Sequence, residues 1–220
     1  MTRSAATKMI EKALLKGVMG FLPNRALLRH GLEGLKEIAL TFDDGPHTEG
    51  TPLVLDILSS YQVRATFFLV GQKAMTYPHL ARRIADEGHE MGNHTQSHRI
   101  LTELTRKEWI EEIEAGEKTL QSLTGRSISY FRPPKGEFSL SILRHLAAKR
   151  TTTVLWSVDP KDFATDGEEP LWNKLRKNPL RGGDIILLHD WVPATVTVLP
   201  RFIEWIHEQG FRFATVGGML

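Results

Sequence analysis

The chain contains no cysteine. That excludes disulfides and thiolate metal sites, so any metal it binds must use nitrogen and oxygen ligands. The lack of cysteine does not by itself choose a compartment. Long apolar runs are also missing, and no stretch approaches the roughly 18 uncharged apolar residues that a bilayer span requires. A basic surplus is absent from the body of the chain. Lysine and arginine number 28 against 26 aspartates and glutamates, but residues 1–30 hold six of the bases and a single acid, Glu11. The remainder carries 22 bases and 25 acids. A nucleic-acid role needs a basic patch on the folded domain, and none is expected here.

What is present has the composition of a globular enzyme-sized domain. With 220 residues, 41% hydrophobic and 25% charged, the chain can bury one substantial core, and one domain is the default. The N-terminal stretch stands apart. Ile10, Leu14, Val18 and Leu22 recur at i, i+4 spacing while Lys8, Lys12 and Lys16 line another face, which predicts an amphipathic helix over about 4–20 that Pro23 ends. Glu11, Lys12 and Lys16 interrupt what would be the apolar core of a signal peptide, and no small-residue cleavage site follows. The segment is therefore read as retained, with a cytoplasmic location. Two roles stay open for it: a helix packed on the outside of the domain, or peripheral contact of residues 4–22 with the inner face of an anionic membrane.

From Glu37 onward short β-rich runs alternate with longer helical patterns. The predicted strands are 38–42, 64–70, 89–92, 127–131, 152–157, 184–189 and 211–216, with helices near 51–60, 77–87, 105–123, 139–149, 168–177 and 195–209. Trp109, Ile113, Leu120 and Leu123 fall at helical spacing, and Gly125 follows as a C-cap residue. Strict alternation of this kind predicts an α/β fold with a parallel sheet. Seven units in one domain favour a distorted (β/α) barrel of seven parallel strands. The division expected is a helical extension over 1–36 and a catalytic domain over 37–220.

The chemically capable side chains fall where such a barrel puts its active site. Asp43 and Asp44 follow the first strand, His94 and His98 the third, Arg132 to Gly136 the fourth, Asp159 and Asp162 the fifth, and His189 closes the sixth. All five groups lie at the carboxyl ends of strands drawn from hydrophobicity alone, and in a parallel barrel those ends form one rim. Taken singly each has a bland reading. Asp-Asp-Gly-Pro is an ordinary turn. Two histidines four apart can share a helical turn and bind one metal, or coincide there by chance. Arg132-Pro133-Pro134-Lys135-Gly136 can be a rigid loop, and His189 a satisfied core histidine. Taken together they supply a metal site, a base, an anion-stabilising loop and an acid, each once.

These residues resemble the polysaccharide deacetylase family, the NodB-homology domain of carbohydrate esterase family 4. The matching motifs are Thr41-Phe42-Asp43-Asp44-Gly45-Pro46, His94-Thr95-Gln96-Ser97-His98, Arg132-Pro133-Pro134-Lys135-Gly136, Asp159-Pro160-Lys161-Asp162-Phe163 and Leu187-Leu188-His189. The resemblance covers about residues 37–216 and implies removal of the acetyl group from an N-acetylated sugar in an oligosaccharide, polysaccharide or lipid-linked glycan. It implies one divalent metal, usually zinc with cobalt, nickel or manganese as alternatives, held by Asp44, His94 and His98. Asp43 would be the general base toward the attacking water, and Arg132 would hold it by an ion pair. The Lys135 backbone N–H would stabilise the oxyanion, and Pro134 beside it would be a substrate-binding residue. His189 would protonate the leaving amine while Asp162 orients its ring and keeps it charged. Phe163 and Leu187 would wall the acetyl pocket.

Two positions depart from the family pattern: Lys135 stands where an aromatic residue is common, and Phe163 where tryptophan is usual. Neither removes a catalytic function, and both bear on sugar specificity. An alternative activity within the same fold is hydrolysis of a non-sugar amide or cyclic imide. Trp191, just after His189, is a candidate platform for a sugar ring, and His47 a candidate cleft residue. Trp109 and Trp205 are expected in the core. His30, His79, His89, His145 and His207 are given no role. The oligomeric state is not legible in the sequence.

Overall fold

Alternating side chains along Glu37–Gly45 (β2) set the architecture. Ile38, Leu40 and Phe42 join a large core shared with the helices, whereas Ala39 joins a smaller one. The smaller core comprises Leu28, Ala39, Phe68, Val154, Ile185, Val216 and Met219. Those residues come from strands and the C-terminal turn and from no α-helix, so this cluster fills the interior of a barrel. A strand that is buried on both faces is what a parallel sheet covered by helices requires.

The computed structural model describes residues 25–220 apart from Glu33, Leu35 and Asn178. Eight strands appear among them: Leu27–Leu28 (β1), β2, Thr66–Leu69 (β3), Glu90–Asn93 (β4), Tyr130–Phe131 (β5), Thr152–Val154 (β6), Ile185–His189 (β7) and Arg212–Phe213 (β8). Their order is β1-β6-β5-β4-β3-β2-β7, with β8 beside the start of β2, and every pairing is parallel. Beyond β6 the chain crosses to the free edge of β7, where Val158 bridges Ile186 and closes the ring. Seven helices intervene: Gly50–Ser60 (α1), Gly71–Thr76 (α2), Pro78–Asp86 (α3), Arg106–Thr124 (α4), Leu140–Ala148 (α5), Glu168–Leu175 (α6) and Pro193–Glu208 (α7).

The expected distorted barrel is therefore present, with all seven predicted strands and one more. β1 was not drawn because two residues cannot display an alternation, and they lie in the stretch assigned to the extension; they pair with Thr153 and Val154 of β6. The last predicted strand shrinks to Arg212–Phe213, because Val216 begins a 3-10 turn that packs into the barrel interior. The six predicted helices all form, and α2, too short to show a period, is added. Among the described residues no helix is long and apolar enough to cross a membrane. The predicted amphipathic helix and its contact with a membrane surface fall on residues outside those described.

Helix α4 carries the second motif on its back. It starts with a reciprocal capping box between Thr105 and Glu108 and ends at Gly125 in the left-handed conformation, φ 66°. Trp109 and Ile113 are buried against Phe131. At Gly116 the helix comes into contact with the segment after β4: a Cβ there would stand 2.4 Å from Asn93 Oδ1 and 2.8 Å from the main-chain carbon of Thr95. Alanine normally favours a helix over glycine by about 1 kcal/mol, but here the opposing atoms include rigid backbone. Gly116→Ala is expected to lower the thermal midpoint by several degrees rather than raise it; calorimetry of the variant checks the sign.

Candidate active site

Two inward positions of β2 lie beside two of β7. Thr41 pairs with Leu187 and Asp43 with His189 in the parallel register. Simple alternation would then point Asp44 away from Asp43. The strand instead carries a register shift between Asp43 and Gly45, and Asp44 takes φ 69°. This bulge brings two consecutive carboxylates to the same rim.

Asp44 lies at the centre of the site. Its Oδ1 is 3.0 Å from His98 Nε2 and 3.4 Å from His94 Nε2, and its Oδ2 is 4.0 Å from His189 Nε2. One ligand atom from each of Asp44, His94 and His98 lies within 4.8 Å of the others. Burial alone would raise the Asp44 carboxyl, but the His94 and His98 imidazoles outweigh it and hold the group well below the usual carboxylate range. His94 is buried and its Nδ1 lies 2.6 Å from the Arg132 carbonyl, which makes Nδ1 the protonated nitrogen and leaves Nε2 as a ligand. A carboxylate and two imidazoles converging in this way fit a divalent cation of the zinc type, with room left for a further ligand.

His94 and His98 do not share a helical turn, as their spacing suggested. Residues 94–100 form an irregular loop with Thr95 at φ 69° and His98 at φ 61°. Side-chain turns shape it, with Thr95 N donating to Asn93 Oδ1 and His98 N to Thr95 Oγ1, both at 2.9 Å. Glu112 of α4 braces the same loop through both oxygens, accepting from Ser97 N and Ser97 Oγ, while its carbonyl accepts from Gln96 N.

Arg132 is fully buried, and its Nη1 donates to Asp43 Oδ1 at 2.6 Å and to Thr41 Oγ1 at 2.8 Å. Nη2 donates to the Leu155 carbonyl, and the guanidinium stacks 4.0 Å from the centre of the Phe68 ring. Burial pulls the guanidinium below its ordinary value and Asp43 works against that shift, so the charge stays. Asp43 Oδ2 is 3.9 Å from His94 Nε2, which places this carboxylate beside the Asp-His-His group.

His189 and Asp162 form a second buried pair. His189 Nδ1 lies 2.8 Å from Asp162 Oδ1, and the Asp162 carboxylate also accepts from His189 N, Phe163 N and Thr195 Oγ1. Burial by itself pushes the imidazole down; Asp162, with Asp43 and Asp44 further off, overcomes this and raises it. The His189 ring lies between two exposed aromatics, Phe163 at 5.4 Å and Trp191 at 5.8 Å between centroids. Leu187 and Pro134 are buried, and Lys135 is exposed with φ 57°.

Some residues take other parts. Asp159 accepts from Lys161 N and pairs with Lys161 Nζ at 2.6 Å, shaping the turn before Asp162. His47 Nδ1 accepts from Gly50 N at the start of α1. His89 is a core histidine against Phe67, and burial holds it down at about 4. Trp109 is buried and Trp205 packs on the large core, as expected. Thr41, Lys73, Glu112 and Thr195 were not anticipated. Lys73 lies in a helix too short to show a period, Thr41 opens the first motif without a role of its own being evident, and Glu112 and Thr195 act from positions with no local signature.

A closed parallel barrel whose carboxyl rim joins an Asp-His-His group, an Arg-held aspartate and an Asp-held histidine defines a metal-assisted hydrolase. The family model described as polysaccharide deacetylase matches residues 32–154, more than half of the chain. A peptidoglycan-N-acetylglucosamine deacetylase of Bacillus cereus is 37% identical over 190 residues, covering 84% of this chain and 88% of the relative. A chitooligosaccharide deacetylase of Sinorhizobium fredii is 35% identical over 192 residues, covering 81% and 89% respectively. The crystal structure of a peptidoglycan N-acetylglucosamine deacetylase superposes with a TM-score of 0.86 at 35% identity, over 89% of this chain and 92% of that one. The chain belongs to the polysaccharide deacetylase family, hydrolases that remove acetyl groups from N-acetylated sugars.

Removing one member of a buried ion pair leaves the other charge uncompensated. Arg132→Met is therefore expected to destabilise the fold by about 3–5 kcal/mol, well beyond a surface substitution; urea unfolding of the variant at neutral pH measures it.

Proposed function

We propose that the chain is a zinc-dependent N-deacetylase of N-acetylglucosamine units in a glycan, with Asp43 as base and His189 as acid. The observation that carries this reading is the convergence on Asp44: both histidine ligands on one oxygen and the His189 ring on the side of the other. N-acetylglucosamine is the sugar shared by the activities for which the two relatives are named. Asp44, His94 and His98 would hold a divalent ion, which would supply Lewis acidity toward the attacking water and the acetamide carbonyl.

The side chains of the protein supply the rest. Asp43, held by Arg132 in a dry setting, accepts the proton as water oxygen bonds to the acetamide carbon. The Lys135 backbone N–H helps to stabilise the negative oxygen, a task that needs no particular side chain and so tolerates lysine. His189, charged and oriented by Asp162, gives its Nε2 proton to the departing nitrogen as the carbon–nitrogen bond breaks, leaving acetate and a free amino sugar. Phe163 and Leu187 form the apolar wall for the acetyl methyl, and Pro134 stiffens the loop beside it.

Mass-spectrometric screening of N-acetylglucosamine oligomers is expected to show acetate loss that a chelator abolishes and zinc restores. Asp43→Asn is expected to lower kcat by about 10²–10⁴-fold while metal content stays near that of the parent. Wild-type turnover in that variant would remove Asp43 from its role.

A pH prediction follows from the dyad. Because the active form of His189 is protonated, activity falls as pH rises through its pKa, which Asp162 raises. Loss of the Asp162 charge in Asp162→Asn therefore moves the alkaline limb of the kcat/KM profile to lower pH; a limb that stays put would assign it to another group.

A further inference from the structure

The left-handed Asp44 residue has to be held in place. A non-glycine residue in this conformation is disfavoured and persists only where its surroundings over-determine it. Lys73, in α2, donates from Nζ to the Asp44 main-chain oxygen at 2.7 Å. Val70 N donates to the next carbonyl, that of Gly45, at 2.9 Å.

Support also comes from the β7 side. Asp190, the residue after His189, is wholly buried, and its carboxyl lies against the backbone of the first motif: a Cβ on Gly45 would stand 2.6 Å from Asp190 Oδ2. Thr51 Oγ1 donates to that same oxygen, whereas Asp190 Oδ1 has no hydrogen-bond partner among the described residues. An unpartnered buried carboxyl oxygen is costly, and the proposed chemistry makes no use of it. Burial raises Asp190 to about 6, with the charges of Lys73 and His189 opposing and that of Asp44 adding.

We propose that Lys73 is a positioning residue of the metal centre: its ammonium clamps the Asp44 carbonyl and so aims the Asp44 carboxylate at His94 and His98. The inference rests on the reading of those three residues as metal ligands. Outer partners that orient a ligand in this way typically govern 10–100-fold in metal affinity.

The test is zinc titration of chelator-stripped protein against a chromophoric competitor, with the thermal midpoint of each metal-free variant measured in parallel. Lys73→Met is expected to weaken zinc binding about 10–100-fold, and Lys73→Arg to recover much of the loss. A purely structural lysine would lower the midpoint and leave zinc affinity unchanged, which overturns the proposal. Should Lys73→Met fail to fold, Lys73→Gln is read on the same scale, and wild-type affinity in it is equally decisive against the clamp. Wild-type protein that takes up no zinc would overturn the metal reading and this inference together. Zinc uptake by wild type and Lys73→Met alike would overturn the inference alone.

Discussion

The site depends on one departure from regular strand geometry. Along β2 the side chains of Ala39, Thr41 and Asp43 face inward by simple alternation, and the next residue would face the helices. The bulge at Asp44, with its positive φ, cancels that step. Without it the Asp43 and Asp44 carboxylates would lie on opposite faces of the sheet. With it, Asp43 meets Arg132 while Asp44 meets the two imidazoles, and two acids with different tasks occupy one rim.

Burial then separates those tasks. Arg132 is sealed among Thr41, Phe68 and the Leu155 carbonyl, so its charge is fixed and Asp43 is anchored through one oxygen. Asp44 is half-buried and faces imidazoles. Across the rim, Asp162 spends its hydrogen-bonding capacity on His189, Phe163 and Thr195 and so acts only through the histidine. Three aspartates thus occupy different settings because their partners differ, as expected when neighbours and not residue type set the behaviour of ionisable groups.

Much of this was legible in the sequence because the signals were periodic or local. Alternating and helical patterns located seven strands and six helices, and five polar groups fell at strand ends. What escaped had no period or no local chemistry. β1 has two residues and α2 has six, below what a hydrophobic repeat can reveal. The His94–His98 spacing suggested a helical turn, yet Asn93, Thr95 and Glu112 build a loop that brings the rings together by another route. Lys73 and Thr195 reach the site only because distant segments pack side by side, a tertiary fact that no window of sequence holds.

The central claim is that Asp44, His94 and His98 converge on a single cation beside Asp43. X-ray absorption at the zinc edge of the loaded protein examines it most directly. The account predicts a light-atom shell at about 2.0–2.1 Å with the outer scattering of two imidazoles. A spectrum showing only oxygen neighbours, with no imidazole signal, would contradict it.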